Sequence, residues 1–301
     1  MSEVTASMVK ELRESTGAGM MECKKALVES NGDMQLAIDN MRKSGQAKAA
    51  KRAGKIAAEG VIAVALNKDK TRACMIEVNC ETDFVARDKS FKEFADMLAN
   101  VGLTANTSDV AVLMSQSAKP SVSEGDIAIS CEAARESAVT KIGENIQARR
   151  MVTISSTGCV NYYLHGDRIG VLISLDKPNA DLAKDIAMHV AATNPIAIDA
   201  SGIAPEVLAK EREIVTAQAQ TSGKPANIIE KMVEGRLQKF VQEVCLVHQP
   251  FVKNPDQTIA QLLQAAGGAK VLSMTRFEVG EGIEKVVVDL AAEVSATLKE
   301  I

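Results

Sequence analysis

Two stretches of the chain pass through the same order of elements, and that repeat constrains the fold more than any single motif. Residues 61–79, "VIAVALNKDKTRACMIEVN", carry two β-rich runs about the turn-like "NKDK", and "SFKEFADMLANVG" follows as an amphipathic helix with Phe91, Phe94, Ala95 and Leu98 on one face. The order recurs in "RRMVTISSTGCVNYYLHGDRIGVLISLD", which holds further strands, and in the helix "NADLAKDIAMHVAATNP" after them. Alternating strands joined by short hairpins favour antiparallel pairing, and each block supplies a helix to cover one face. The spacing predicts an α+β core of two related antiparallel-sheet-plus-helix units. Between them, 104–135 is weakly patterned, and a helix is expected over about 127–150.

Three further segments stand outside the repeat. The first 45 residues read as three short helices: Met8, Val9 and Leu12 face one way before Gly17, Met20, Cys23, Ala26 and Leu27 repeat the pattern, and Asp33 can cap a third helix bearing Leu36, Ala37 and Met41. Next comes "RKSGQAKAAKRAGK", Arg42 to Lys55, with six basic residues and no acidic one. It fits a solvated linker helix or a contact with an acidic or nucleic-acid partner, and it is no P-loop because Ala49 stands where the first glycine belongs. Residues 205–244 form an αα-hairpin: Val207, Leu208, Ile214 and Val215 recur seven apart, and after "TSGKP" a stripe runs through Ile229, Val233, Leu237, Phe240 and Val244. This hairpin could project and bind something or pack on its own sheet. After a returning strand in "AKVLSMTRFEVGEG", Ile283 to Ile301 reads as a terminal helix.

Several classes of protein are disfavoured. A formal net charge of -4 gives no general nucleic-acid or anionic-membrane binder, and no stretch approaches the roughly 20 apolar residues that span a bilayer. "MSEVTASMVKELRES" lacks the basic start and apolar run of a signal peptide, so a cytoplasmic location is expected. The six cysteines form no CxxC pair and read as reduced, buried thiols. Histidines 165, 189 and 248 are not at metal-ligand spacing, and HExxH, GxSxG, GxGxxG and Walker sequences are absent. His189 lies among apolar helix residues and suits packing or an interface; His165, beside Gly166 in a strand turn, suits a hydrogen-bonded turn or a partner contact. Glu281 and Glu284 are paired carboxylates of a kind common on surfaces. No cofactor, metal or catalytic residue is expected.

The segment "NCETDFVARD", Asn79 to Asp88, concentrates polar groups as an active site does. Glu77, Glu81, Asp83 and Asp88 could hold a divalent cation, but the central glycine and the twelfth-position glutamate of an EF-hand are missing. A short turn that presents Asp83 and Phe84 together asks for water or a cation at one residue and burial at the next. A partner cleft satisfies both. The alternative is that Phe84 begins the packed face that Phe91 and Phe94 continue.

"ETDFVARD" resembles the TDFV signature of the bacterial translation elongation factor Ts family, the guanine-nucleotide exchange factors of elongation factor Tu. "KELRESTGAGMMECKKAL", "NGDMQLAI", "KIGENIQARR", "HGDRIGVL", "IAMHVAA", "SGKP", "KMVEGRLQKF" and "RFEVGEGIEK" resemble the same family in its order, and 100–135 matches least. The resemblance implies a ubiquitin-associated-like three-helix module and basic linker over 1–55, and a core N-terminal subdomain over 56–140. It also implies a core C-terminal subdomain over 141–196 and 247–281, a coiled-coil dimerisation insertion over 197–246 and a C-terminal helical module over 282–301. Thr82, Asp83, Phe84 and Val85 match the family motif. Phe84 would enter between helices of the GTPase near the Mg²⁺ and phosphate region, while Asp83 would disturb the contacts that hold Mg²⁺. His165, with Gly166, matches a histidine that approaches another helix of the partner, and Leu12, Arg13, Gly17 and Met20 would be contacts of the N-terminal module. Ile142, Gly143, Glu144 and Asn145 match a family stretch without an individual role. The partner would be GDP-bound or nucleotide-free elongation factor Tu, with homodimerisation through the hairpin. An RNA- or ribosome-binding translation accessory protein without exchange activity is the alternative, motivated by Arg42–Lys55 and opposed by the scarcity of aromatic residues.

Overall fold

In a computed structural model, which describes residues 4–16, 18–118, 129–221 and 225–284, helices α1 (Ala6–Thr16), α2 (Met20–Glu29) and α3 (Met34–Arg52) come first. They close over six buried side chains: Val9, Leu12, Cys23, Ala26, Leu27 and Ala37. Asp33 caps α3 by accepting the Leu36 N–H at 2.9 Å. Met20 and Leu36, expected on the packed faces, are instead exposed. Leu36 shares the first turn of α3 with Met34, and it is Met34 that packs on the core. The basic run continues α3 as far as Arg52, and Gly45 and Ala49 are buried along it. Lys48 pairs with Glu22, and Arg52 with Glu81.

Strands β1 (Glu59–Leu66) and β2 (Arg72–Cys80) form the expected hairpin, with Val61 opposite Val78 and Ala63 opposite Ile76. Then follow α4 (Asp83–Arg87), α5 (Lys89–Ala105), α6 (Val110–Ser115), the short pair β3 (Ser117–Ala118) and β4 (Ile129–Ser130), and α7 (Cys131–Ile142). The helix expected over about 127–150 is shorter than its prediction. It stops at Ile142 because Gly143 adopts a left-handed φ of 86° as its C-cap. Strands β5 (Gln147–Ser155), β6 (Cys159–His165) and β7 (Ile169–Leu175) lead into α8 (Ala180–Thr193). The hairpin helices α9 (Pro205–Gln220) and α10 (Ala226–Val244) come next. After them are β8 (Pro250–Phe251), β9 (Asn254–Thr258), α11 (Ile259–Ala265) and β10 (Val271–Glu278). The expected terminal helix from Ile283 lies almost wholly outside the described residues, as does Gly17.

The two larger sheets are antiparallel and three-stranded, ordered β1-β2-β5 and β10-β7-β6. The repeat is therefore imperfect. β5 opens the second block in sequence yet pairs with β2, so the 140/141 division falls ahead of a strand that belongs by hydrogen bonding to the first sheet. Side chains sort by the two-residue period of a strand. From the first sheet, Val61, Ala63, Cys74, Ile76 and Val78 meet Phe91, Phe94 and Leu98 of α5, whereas Ile62, Ala73 and Met75 meet Val160 and Leu172 of the second sheet. Val171, Ile173 and Leu175 point the other way, onto Leu182, Ile186 and Val190 of α8. The result is helix on sheet on sheet on helix. Gly170 lies where the sheets touch: a Cβ there would sit 2.5 Å from Ile62 Cγ2 and 2.8 Å from Met75 Sδ.

All six cysteines are free and buried. The hairpin helices, 16 and 19 residues long and so roughly 24 and 28 Å, bury Val215, Ala219, Val233 and Leu237 between them. Val207 and Ile214, expected in the same stripe, stay exposed on the outer side. At the hairpin root, buried His189 accepts the Val252 N–H at Nδ1 (3.2 Å), which puts its own proton on Nε2, 2.9 Å from Gln249 Oε1. Burial lowers the pKa of this imidazole, outweighing the bond to Gln249, and the ring serves packing. Among the described residues no helix is long and apolar enough to cross a membrane.

Candidate functional site

Where β2 leaves its sheet at Cys80, the chain makes a helix of five residues, in place of the turn expected for Asp83-Phe84. A helix so short does not hold itself together. Its ends are fixed by side chains. Thr82 Oγ1 accepts the Val85 N–H at 3.4 Å, and Asp88 breaks the helix in an extended conformation (ψ 135°) and caps α5 by accepting from Ser90 N at 2.8 Å and Phe91 N at 3.1 Å. The hydrogen bond from the Ser90 hydroxyl, followed by those backbone amides, holds the Asp88 carboxyl below its usual pKa against the effect of burial.

The break at Asp88 decides where Phe84 points. Phe84 and Phe91 are seven residues apart and would share a face on an unbroken helix. The change of direction separates them: Phe91 is fully buried while Phe84 is 79% exposed, the most exposed of the large apolar side chains described. Val85 and Ala86 turn inward onto the core of the first sheet. Asp83 stays at the surface and forms an i,i+4 ion pair with Arg87 at 2.8 Å. The helix is thus amphipathic, with its apolar ring on the wet side.

The cation site considered for this acidic cluster is not assembled. Glu77 is buried between Arg149 and Arg150, Glu81 accepts from Arg52 and from Asn145 N, Asp83 holds Arg87, and Asp88 caps α5. Among the described residues no group of histidine, cysteine, aspartate and glutamate is arranged to hold a metal ion. Glu281 is likewise engaged, 2.9 Å from Arg150.

His165 ends β6 at the surface, its Nδ1 3.3 Å from Tyr163 Oη, and Gly166 takes a φ of 57° in the turn that follows. That turn is tied to the first unit: Ile62 N–H donates to the Asp167 carbonyl at 2.8 Å, Lys92 meets the Asp167 carboxylate at 2.6 Å, and Arg168 meets Glu59 at 2.6 Å. Lys92 follows Phe91 on the helix that Asp88 starts. The turn after His165 and the helix under Phe84 are therefore braced to the same element.

The N-terminal residues divide. Arg13 is exposed, and Met20 (58% exposed) adjoins Met21 (76%) at the start of α2. Leu12 is fully buried in the three-helix core.

Sequence reasoning left Ile142–Asn145 without individual roles, and the structure supplies them. Ile142 packs against the core of the first sheet, and Gly143 ends α7. Glu144 accepts from the backbone N–H groups of Glu81 and Thr82, both at 3.0 Å, and from the Thr82 hydroxyl at 2.6 Å. Asn145 is buried and donates from Nδ2 to the Lys55 carbonyl at 2.7 Å. No local signal links positions 63 residues apart; only the pairing of β5 with β2 brings them together.

The segment around Phe84 thus presents an exposed ring beside a carboxylate on a short helix braced from below. The chain belongs to the elongation factor Ts family, a family of nucleotide exchange factors that make no covalent bond. The family model described as Elongation factor TS matches residues 81–281. Elongation factor Ts of Thioalkalivibrio sulfidiphilus is 54% identical over 298 residues, covering 98% of this chain and 99% of that protein. The proteins of the same name from Coxiella burnetii strain RSA 493 (54% over 299 residues; 99% of each chain) and Alcanivorax borkumensis (54% over 292 residues; 97% and 100%) are similar over comparable lengths.

Proposed function

We propose that the chain is the guanine-nucleotide exchange factor of elongation factor Tu and releases GDP by pressing Phe84 into the GTPase near its Mg²⁺ and phosphate site. The observation that carries this reading is the 79% exposure of Phe84 on a helix fixed at both ends. A free ring of that size in water is uphill by its apolar area, and a cleft in a partner recovers that cost. Asp83 beside it disturbs the contacts that hold Mg²⁺ and the switch region, Thr82 and Val85 hold the helix in place, and His165 with Gly166 meets a second helix of the GTPase. Arg13 and Met20 belong to an N-terminal contact that anchors the complex.

The division of the chain is part of the proposal. Residues 1–55 form a ubiquitin-associated-like module with its basic linker, and 56–140 form the N-terminal core subdomain. Residues 141–196 with 247–281 form the C-terminal core subdomain, with β5 lent to the neighbouring sheet. Residues 197–246 form a coiled-coil dimerisation insertion, and 282–301 a terminal helical module. Val207 and Ile214, exposed on the outer side of the hairpin, support its use between two copies. The protein works in the cytoplasm.

Exchange of this kind is a linkage between two ligands of one GTPase. Whatever factor by which the protein weakens GDP binding, GDP must weaken the protein's binding equally. Affinities for elongation factor Tu measured with and without saturating GDP are expected to differ by the same ratio as GDP affinities measured with and without this protein. Equal affinity in the two conditions would remove the exchange mechanism.

A further inference from the structure

We infer that Glu144 is a positioning residue for nucleotide exchange, holding the segment that presents Phe84 to the GTPase; this rests on the exchange reading of Phe84 given above. Three donors converge on one carboxylate. Oε2 accepts from Glu81 N and Thr82 N, each at 3.0 Å, and Oε1 from Thr82 Oγ1 at 2.6 Å. The same Thr82 oxygen accepts the Val85 N–H and so caps the helix that carries Phe84. Glu144 therefore acts on the two residues before the helix and, through Thr82, on its first turn.

The contact is reciprocal. The Glu81 carboxylate accepts Asn145 N–H at 2.6 Å and also receives Arg52 at 3.2 Å. Residues 81–82 and 144–145 thus clasp one another, each pair supplying a carboxylate to the backbone of the other. Pairing of β2 with β5 brings the two segments alongside, as far as Asn79 opposite Gln147, and Val85 and Ala86 pack on the core, but neither supplies a partner to the backbone N–H groups of Glu81 and Thr82. β2 ends at Cys80, β5 begins at Gln147, and Phe84 itself touches too little to be held by packing. A helix of five residues does not hold itself together, and the hydrogen bonds to the Glu144 carboxylate fix the start of its first turn while Val85 and Ala86 pack beneath it. Gly143 places the clasp: its left-handed φ of 86° turns the chain out of α7 immediately before Glu144.

The consequence for exchange is preorganisation. With the clasp intact, Phe84 meets the GTPase already aimed; without it, part of the binding free energy goes to ordering 81–87. Glu144 makes this contribution through Phe84, so its effect must vanish when Phe84 is absent. A carboxylate that only supports the core would not behave so.

The test is a double-mutant cycle on the full-length chain. GDP release from elongation factor Tu loaded with fluorescent GDP is measured for the wild type, Glu144→Ala, Phe84→Ala and the pair, and thermal unfolding is followed for each. Glu144→Ala is expected to slow maximal release roughly ten-fold in the presence of Phe84, the scale for losing a charged hydrogen bond, and less than about two-fold in its absence. Thr82→Val should reproduce the loss and Thr82→Ser restore it, which keeps the cycle available should Glu144→Ala fold poorly. Equal slowing in both backgrounds, or none in either, overturns the inference. Amide hydrogen exchange separates this from failure of the exchange reading. Glu144→Ala should deprotect the amides of Glu81 and Thr82 and spare those of β1 and β2, whatever the protein does to GDP. Unchanged protection at 81 and 82 overturns the inference, whereas a wild type that leaves GDP in place overturns the exchange reading.

Discussion

Phe84→Ala is expected to slow maximal GDP release from elongation factor Tu by on the order of thirty-fold, the loss of about 2 kcal/mol that a buried aromatic anchor supplies at an interface. The affinity of the variant for the GDP-bound GTPase should fall by less. A wedge makes its main contacts in the distorted state, so its removal raises the barrier more than it weakens the first encounter. Thermal stability should be unchanged, because the ring is 79% exposed and leaves no cavity when it is removed. The check is fluorescent GDP release at increasing factor concentration, which separates maximal rate from half-saturating concentration. A variant that releases GDP at the wild-type rate would take the role away from Phe84.

Glu77→Gln is expected to do the reverse, with a large loss of stability and no direct effect on the wedge. Glu77 is fully buried in β2 opposite Arg150 of β5. It accepts from Arg149 Nη1 at 3.1 Å, Arg150 Nε, Asn79 Nδ2 at 3.1 Å and the Gly280 N–H at 2.8 Å. Arg150 continues to the Glu278 carbonyl at 2.9 Å and lies 4.4 Å from the centre of the Phe277 ring. One carboxylate thus fastens the first sheet to the last strand of the second. Neutralising it leaves two guanidinium groups close together with only Glu281 between them, and the expected cost is about 3 kcal/mol, at the lower end for a broken buried pair because both arginines keep Glu281 and some contact with water. Urea unfolding of the two proteins measures it.

The same site gives a pH dependence. Burial raises the pKa of Glu77, but the Gly280 amide and Arg150 outweigh it, so the folded value lies below the ordinary 4.5. A depressed carboxylate stabilises the fold fully above its unfolded pKa, and that contribution is lost as pH falls through the folded value. Wild type should therefore weaken from about pH 4.5 downward, and Glu77→Gln should weaken less steeply over that window.

The sequence carried the local parts of this structure well. Asp33 could be read as a cap because N-capping is a matter of three residues, and the face of Phe91, Phe94, Ala95 and Leu98 because its period lies within one helix. Both hairpins of the repeat were legible for the same reason. What escaped depends on contacts between distant positions. β5 follows the first block and stands ahead of two strands of the second, and its own alternation does not say which sheet it will join. The exposure of Met20 and Leu36 follows how the three helices close on one another, which no single helix reports.

The site shows the same division. The spacing of Phe84 from Phe91 permitted either a shared buried face or an exposed ring, and the extended Asp88 between them settles it. Asp88 precedes a helical run and is a good cap, so that signal was present in the sequence. The helix at 83–87 was not readable, since five residues hold no period and its support comes from Glu144, 62 residues beyond Thr82. Gly143 lies inside the helix expected over about 127–150; it ends α7 instead, and it also sets the position of that support.

The most direct measurement is stopped-flow release of fluorescent GDP from elongation factor Tu on mixing with this protein and excess unlabelled nucleotide. Release should accelerate with protein concentration and saturate as the ternary complex fills. A release rate that stays at its spontaneous value across micromolar protein would contradict the account.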